Sequence, residues 1–301
     1  MALLSFPSLI PDDRFPQFYD LLPVLGSQAD DGPHNNVQLT LTDVVCIHKG
    51  KKLSAVYRAT LRATSDSPEA AEHLPREVVC KVVYGRPARD KLHFEFSMYD
   101  KLQDLQGRLI PQCFGIYEGE MDDGRAACLL LEYCGEELTR KLRYTSWDFR
   151  RQVLDSLLEI HRRGVVHNDV RERNIVINKE GRPIIVDFDI SDSKNHDCPV
   201  KLPIQFDVPE PDRFHFGCDE LHWAGQLADV WLPTTFLFLG RRVPIKYTDS
   251  PELLAKVAPS GTSPEEALER AHVYYQMFRT ALEKRKRCEP YEYLDNSMVD
   301  E

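Results

Sequence analysis

The chain has 301 residues, of which 42% are hydrophobic, and its formal net charge at pH 7 is −10. This length and hydrophobic fraction suffice for a substantial core in one large or two small domains. We therefore expect disorder only at the two ends of the chain. The negative charge disfavours nonspecific binding to nucleic acid or to an anionic membrane, so we expect neither as a partner.

The eight cysteines are scattered and form no C-x-x-C pair. Several, including Cys80 and Cys128, lie inside apolar runs, which indicates small buried side chains in a reducing compartment rather than a disulfide framework. The N-terminus lacks a basic start, and the longest apolar runs are too short to span a bilayer. We therefore expect a cytoplasmic protein, with a nuclear location as the alternative.

Residues 1–36 are interrupted by prolines and glycines, yet residues 15–22 are too apolar for a free tail. We expect them to form an extension that docks in part on the next domain. Strand patterns begin at residue 37, where apolar and polar residues alternate. A turn over residues 48–52 and a returning strand over residues 55–59 complete a predicted hairpin.

A strand predicted over residues 77–84 contains one lysine, Lys81, in an otherwise apolar run. A lysine in that setting needs either water or a carboxylate partner. The helix predicted over residues 88–103 offers Glu95, which lies on the same helical face as several apolar residues. We expect an ion pair; the alternative is that Lys81 reaches solvent from an edge strand and Glu95 lies at a helix margin.

Two further strands are predicted over residues 113–121 and 126–134, and the second is followed by Gly135. A helix is then predicted from the N-cap Ser146 to Gly164, because its apolar residues recur at helical spacing. It leads directly into the most informative part of the chain.

That part contains the pattern H-x-D-x-x-x-x-N, formed by His167, Asp169 and Asn174. Asp187 follows thirteen residues later, at the end of an apolar run. Two short strands joined by a turn are predicted between Asn174 and Asp187, and such a hairpin brings Asp169, Asn174 and Asp187 to one side. Two carboxylates and an amide oxygen suit Mg²⁺ carrying a polyphosphate.

The C-terminal third contains weaker patterns. Whether zinc binds to its histidines and cysteines is left open, because their spacing is only loosely typical of a zinc site; they are His196, Cys198, His215, Cys218 and His222. The apolar run at residues 236–239 fits the continuation of a helix. A last helix is predicted from Ser263 to Arg287, with a buried stripe that includes Leu268.

The stretch from His167 to Asp187 resembles the catalytic loop and metal-binding segment of the protein-kinase-like superfamily. The resemblance implies that Asp169 orients or deprotonates an acceptor hydroxyl. It implies that Asn174 holds one Mg²⁺ and that Asp187 bridges metal to the β- and γ-phosphates of ATP. Arg171 is placed to neutralise charge on the transferred phosphoryl group, and His167 is expected to support the loop.

The resemblance extends to the strand and helix that precede this stretch. Lys81 and Glu95 match the lysine–glutamate ion pair of the superfamily, in which the lysine contacts the α- and β-phosphates. Val56 matches the valine that covers adenine. The backbone from Glu132 to Cys134 matches the hinge that hydrogen-bonds adenine.

The glycine-rich phosphate loop of the superfamily is not matched. Its three glycine positions are occupied by Lys49, Lys51 and Ser54, and Gly50 lies one position out of register. Lys51 and Ser54 remain candidates for contacting ATP, since lysines there would compensate electrostatically. A solvated hairpin tip is the alternative.

Two other departures concern regulation. The D-F-G triplet of the superfamily is present as Asp187-Phe188-Asp189, and the loss of glycine makes an inward–outward flip of this segment less favourable. The position before Asp169 is asparagine, not the arginine of kinases that are switched by loop phosphorylation. We expect no regulation by activation-loop phosphorylation.

The fold implied is α+β and two-lobed, with an antiparallel-sheet N-lobe carrying one helix and a mainly helical C-lobe. The predicted boundaries are 1–36 for the extension, 37–134 for the N-lobe, 135–287 for the C-lobe and 288–301 for a tail. The chain looks most like divergent protein-kinase-like proteins abundant in fungi. The implied function is transfer of the γ-phosphoryl group of ATP, with Mg²⁺, to an unknown hydroxyl acceptor. The alternatives are a small-molecule kinase of the aminoglycoside or choline phosphotransferase type and a pseudokinase acting as a binding module.

Overall fold

The computed structural model describes residues 3–9, 17–24, 38–50, 54–64, 77–193, 197–200 and 203–291. The chain divides into two compact units, the first made of Met1–Glu137 with Ser156–Asp197 and the second of Leu138–Asp155 with Cys198–Glu301. Both helices and strands are present, which confirms the predicted α+β class. Among the described residues, none of the helices combines the length and the apolar character that a membrane span requires.

A closed barrel of seven strands forms the larger part of the first unit. The strands are β1 (Leu3–Pro7), β2 (Phe18–Pro23), β3 (Gln38–Lys49), β4 (Ser54–Thr64), β5 (Glu77–Tyr84), β6 (Cys113–Met121) and β7 (Gly124–Glu132). Their order around the barrel is β1-β2-β6-β7-β5-β4-β3, and every pair is antiparallel except β1 with β3. That parallel pair closes the barrel.

The strands β1 and β2 belong to the N-terminal extension, where the sequence analysis did not predict strands. Leu4 and Phe6 of β1, together with Leu21 of β2, are fully buried. They alternate with residues that face away, as the period of two of a β-strand requires. These strands are too short, and too close to prolines, for this alternation to be recognised from the sequence.

The helix α1 (Arg86–Lys101) follows β5 after one residue and packs against β5, β6 and β7. Gly85 precedes it with a φ of 77°, and a proline at the start of the helix favours its initiation. Its buried residues include Leu92, Glu95 and Tyr99, which recur at helical spacing. A carboxylate is therefore buried on an otherwise apolar face.

The first unit also contains a small antiparallel sheet of three strands. Its strands are β8 (Glu136–Glu137), β9 (Ile175–Ile177) and β10 (Pro183–Ile185), in the order β10-β9-β8. The turn from β9 to β10 is closed by Asn178, whose side-chain oxygen accepts hydrogen bonds from the amides of Glu180 and Arg182. The hairpin predicted between Asn174 and Asp187 is thus present.

The helix α2 (Trp147–Arg162) begins in the second unit and ends in the first. The remaining elements belong to the second unit: α3 (Arg213–Phe216), α4 (Asp219–Leu227), β11 (Thr235–Phe238), β12 (Arg241–Pro244), α5 (Pro251–Ala255) and α6 (Pro264–Lys286). Arg285 of α6 is 1% exposed and pairs with Asp207 at 2.6 Å and with Asp229 at 3.1 Å. This buried network fixes the end of α6.

Two predictions for the second unit were wrong. The run at residues 236–239 is not helical; it forms β11 and turns into β12 through Leu239 and Gly240, both at positive φ. A two-residue turn of this kind favours a hairpin over a helix. On α6, Leu268 is 37% exposed, because the buried face starts one position earlier, at Ala267.

Candidate active site

Lys81 and Glu95 meet where β5 and α1 pack together. Nζ of Lys81 lies 2.5 Å from Oε1 of Glu95 and 2.7 Å from Oδ1 of Asp187. Glu95 is 1% exposed, and the side chain of Lys81 is largely buried. The structure therefore joins three residues that the sequence assigned to one site, and each buried charge has a partner.

The charges of this cluster are set by mutual pairing. Burial opposes the charge on Lys81, but Glu95 and Asp187 outweigh it and raise the pKa of the lysine above its ordinary value. Burial raises the pKa of Glu95, and Lys81 acts in the opposite direction. Burial would also raise the pKa of Asp187, but Lys81 outweighs it and lowers that pKa. At neutral pH the site thus presents a cationic lysine beside an anionic Asp187.

Asp187 holds an unusual backbone conformation at the start of the D-F-D triplet. Its φ is 71°, in the left-handed region that costs a residue with a side chain about 1 kcal/mol. The next residue, Phe188, is fully buried, with its ring centroid 5.3 Å from that of Tyr99 and 4.9 Å from that of His167. Packing of Phe188 fixes the segment, and backbone strain of this kind is typical of functional positions.

His167 connects the catalytic loop with the strand end before Asp187. Its Nε2 lies 3.0 Å from the carbonyl oxygen of Val186, and the amide of Asp169 donates to its Nδ1 at 3.2 Å. A carbonyl oxygen can only accept, so Nε2 carries the proton and Nδ1 accepts. The buried ring therefore fixes the positions of Asp169 and Asp187 through the backbone.

Asp169 lies at the centre of the catalytic loop, and its side chain is 8% exposed. One carboxylate oxygen pairs closely with Nε of Arg171. The other oxygen accepts from Nη2 of Arg173 at 3.0 Å and from Nδ2 of Asn174 at 2.9 Å. Burial would raise the pKa of Asp169, but these hydrogen bonds and the charge of Arg171 outweigh it and lower that pKa. The carboxylate is ionised at neutral pH and fixed in orientation.

Asn174 is almost fully buried beside Asp169. Its Nδ2 donates to the backbone oxygen of Asp169 at 2.8 Å as well as to the carboxylate, so the amide oxygen is the atom left for a metal. The amide of Val186 donates to the backbone oxygen of Asn174 at 3.0 Å, which ties Asn174 to the segment of Asp187. An amide oxygen and a carboxylate are hard ligands, and this donor set fits Mg²⁺.

The predicted hinge begins where β7 ends. The amide of Glu132 donates to the carbonyl of Gln112 at 2.8 Å, and the amide of Tyr133 donates to that of Glu77 at 3.2 Å. The thiol of Cys134 lies 3.7 Å from the carbonyl oxygen of Glu132. The backbone of this segment is therefore fixed, while its contact with adenine remains a prediction.

Gly135, directly after this segment, is at a φ of 126°, and a Cβ there would lie 2.0 Å from the carbonyl oxygen of Ile177. We expect Gly135→Ala to lower the free energy of unfolding by about 2–4 kcal/mol, because neither backbone can move away freely. The control is Gly181→Ala, at a φ of 76° with no atom within 4 Å, which should cost about 1 kcal/mol. Denaturant titration measures both; equal losses would contradict the steric argument.

The hairpin between β3 and β4 holds the remaining predicted nucleotide contacts. Val56 lies on β4 directly beside Lys81 of β5 and is half-buried. The amide of Gly50 donates to the carbonyl of Ser54 at 3.0 Å, and this hydrogen bond joins the end of β3 to the start of β4. Lys51 lies outside the described residues.

Sequence reasoning missed two side chains of this site. Arg173, four residues after Asp169, shares the carboxylate with Arg171, and its i+4 spacing within the loop was the available signal. Lys91 of α1 lies 3.1 Å from Asp189 of the D-F-D triplet. No local pattern could have linked these two, since they are 98 positions apart.

The histidines and cysteines of residues 196–222 are placed differently from one another. The sulfur atoms of Cys198 and Cys218 lie within 4.8 Å of one another. Nδ1 of His215 lies 2.9 Å from Asp212, and Nε2 of His222 lies 3.0 Å from the carbonyl oxygen of Pro211. His196 lies outside the described residues. Whether zinc binds to these histidines and cysteines is therefore still an open prediction.

Known proteins resemble the part of the chain that contains this site. The family model described as protein kinase domain matches residues 70–202, which contain the site residues from Lys81 to Asp187. Over 170 residues the chain is 29% identical to Cell division control protein 7 of Schizosaccharomyces pombe. The match covers 54% of this chain but 15% of that relative, so the chain corresponds to a small part of it. Residues 70–202 are therefore similar to a protein kinase domain, and the arrangement of these side chains is consistent with that similarity.

Proposed function

We propose that the chain is a phosphotransferase that uses ATP and Mg²⁺ to phosphorylate a hydroxyl group. One observation carries this proposal: Glu95, Lys81 and Asp187 form a continuous ion-paired chain, and Asp187 is tied through Val186 to Asn174 and thus to Asp169. All five side chains lie in the first unit. In this scheme the barrel with α1 contributes the nucleotide-binding part of a kinase-like N-lobe.

Lys81 is the residue assigned to the phosphates. Its ammonium group has three N–H donors, two of which are directed to Glu95 and Asp187. The third can donate to an α- or β-phosphate oxygen. Because its carboxylate partners keep Lys81 protonated, it offers a full positive charge at neutral pH.

Asn174 and Asp187 would hold the metal through an amide oxygen and a carboxylate. Bound Mg²⁺·ATP supplies the phosphoryl group and much of the neutralisation of its charge. Arg171, 54% exposed, provides a further cation beside the acceptor carboxylate. Val56, Ser54 and the backbone from Glu132 to Cys134 are assigned to the nucleotide on position alone.

Asp169 would receive the acceptor hydroxyl. Its lowered pKa makes it a weak base in the resting state, so its main task is to accept a hydrogen bond and orient the hydroxyl. The acceptor is a protein or a small alcohol, and the residues of the site are compatible with both. All eight cysteines are free thiols, which supports a cytoplasmic or nuclear location.

The proposal is tested by comparing nucleotide binding with turnover in Asp169→Asn. We expect the wild-type protein to gain about 2.7 kcal/mol of stability at ATP·Mg²⁺ a hundredfold above its dissociation constant. We expect Asp169→Asn to keep this gain, because Asp169 is assigned to neither the phosphates nor the metal, but to transfer phosphate about 10²–10⁴ times more slowly, because the acceptor hydroxyl loses its carboxylate. The measurements are melting temperature and transfer of labelled phosphate to generic proteins and small alcohols.

The matched control is Glu180→Gln, which removes a carboxylate from the turn between β9 and β10 and should leave both readouts unchanged. Stabilisation by ATP without turnover on any acceptor would favour a pseudokinase that serves as a binding module. No stabilisation at millimolar ATP with Mg²⁺ would contradict the proposal.

A further inference from the structure

The segment after Asp187, residues 188–193, is joined to the catalytic loop by hydrogen bonds. Nδ2 of Asn168 donates to the carbonyl oxygen of Ile190 at 3.1 Å. Two backbone hydrogen bonds of 2.8 Å join Val166 and Asp192 in both directions. Asn168 is at a φ of 64°, a left-handed conformation that asparagine adopts more readily than most residues with a side chain.

The same segment is fastened to α1 on its other side. Nζ of Lys91 lies 3.1 Å from Oδ2 of Asp189. Nζ of Lys101 donates to the carbonyl oxygens of Gly164 at 3.3 Å and Ser193 at 3.2 Å. Lys91 lies one turn before Glu95 on the same helical face. The helix α1 therefore contacts Asp189 directly through Lys91, and it is connected with Asp187 through Glu95 and Lys81 of β5.

The aspartate at position 189 makes the Lys91 contact, and a glycine there would remove it. An aspartate also restricts the backbone more than a glycine, which raises the free energy of alternative conformations of the triplet. Asp187 is at positive φ, whereas Asp189 is not, so the aspartate side chain is accommodated without strain at position 189. Charge and backbone restriction therefore favour the same conformation.

We propose that the Lys91–Asp189 ion pair fixes α1 and the metal-binding segment in their assembled positions, so that the site needs no phosphorylation of the chain to form. Lys91 and Asp189 are positioning residues: they act on Glu95 and Asp187 through α1 and the triplet. The consequence for catalysis rests on the function proposed above. The structural part does not, because it can be measured without nucleotide.

The expected effect is moderate, because Lys91 is 58% exposed and Asp189 is 38% exposed. Exposed ion pairs are partly screened by solvent, so deletion of one charge gives a small change. Reversal of one charge replaces attraction by repulsion, and we expect a three- to tenfold change in the opening equilibrium of the segment.

The test uses the full chain after phosphatase treatment, with its mass checked for the absence of phosphate. Amide hydrogen exchange of residues 186–193 is compared for wild type, Lys91→Glu, Asp189→Lys and the double variant, without nucleotide. We expect three- to tenfold faster exchange in each single variant and wild-type rates in the double variant, which restores the pair with reversed polarity. The dissociation constant of ATP with Mg²⁺ should likewise rise in each single variant and return to the wild-type value in the double variant.

Arg86→Glu is the matched control, because Arg86 lies on α1 with a side chain 87% exposed and pairs at 3.9 Å with Asp90. It should leave exchange of the segment unchanged. The proposal is overturned if the single variants exchange at wild-type rates, if the double variant exchanges as fast as they do, or if phosphatase treatment of the wild type speeds exchange. If exchange follows the prediction but no variant or wild type binds ATP, the ion pair stands and the proposed function fails.

Discussion

Replacing Asp187 with asparagine is expected to abolish the metal-dependent stabilisation by ATP and to lower phosphotransfer about a thousandfold. The substitution removes the one carboxylate that is paired with Lys81 and also assigned to the metal. Neutralisation of the phosphates is the main electrostatic contribution to this chemistry, and the loss of a single preorganised electrostatic contact typically costs about 10²–10³ in rate. The measurement is the melting temperature with ATP, with and without Mg²⁺, together with labelled-phosphate transfer.

The fold should tolerate this substitution. Asparagine has the shape of aspartate and accepts the left-handed backbone that Asp187 adopts at a φ of 71°. Lys81 keeps Glu95 as a partner at 2.5 Å, so no buried charge is left alone. The control is Asp90→Asn, a 70% exposed carboxylate on α1 that should change neither readout. An unchanged ATP shift in Asp187→Asn would place the nucleotide elsewhere.

Local patterns predicted the parts of the site that depend on neighbouring residues along the chain. Strand and helix periodicity predicted β5 and α1 and singled out Lys81 and Glu95 as charges on apolar faces. The hairpin between Asn174 and Asp187 followed from two short apolar runs and a turn containing Gly181. In each case the physical requirement lies within a few residues, so the sequence expresses it directly.

The remaining features depend on residues that are distant in the sequence. The parallel pairing of β1 with β3 closes the barrel, but it joins strands more than thirty positions apart. Gly135 is required by the carbonyl of Ile177, which belongs to another strand. The Lys91–Asp189 pair depends on how α1 packs. A single sequence contains no local pattern for such contacts.

Replacing Lys81 with methionine is expected to lower the free energy of unfolding by about 3–5 kcal/mol at pH 8, besides abolishing the ATP shift. Glu95 is 1% exposed and would lose the partner that lies 2.5 Å away. Removal of one member of a buried ion pair is costly because the other charge remains buried without compensation. Denaturant titration measures the loss, and Lys91→Met, which truncates a 58% exposed lysine, should change stability by less than about 1 kcal/mol.

The loss should depend on pH in a direction set by Glu95. Burial already raises the pKa of Glu95 above its ordinary value of 4.5, and Lys81 is the main group that lowers it. Without Lys81 the folded-state pKa rises further. A group with a raised folded-state pKa contributes its stability below the unfolded-state pKa and loses it as the pH rises through the folded-state value. The deficit of Lys81→Met relative to wild type should therefore be smallest near pH 4.5 and grow above it.

A second substitution separates stability from function. In Lys81→Met/Glu95→Leu the buried carboxylate is also removed, and most of the lost stability should return, because apolar side chains often replace a buried ion pair at little cost. The ATP shift should stay absent, since no cation faces the phosphates. A double variant as unstable as Lys81→Met would show that the loss comes from packing between β5 and α1. In that case the uncompensated charge of Glu95 would not be the cause of the lost stability.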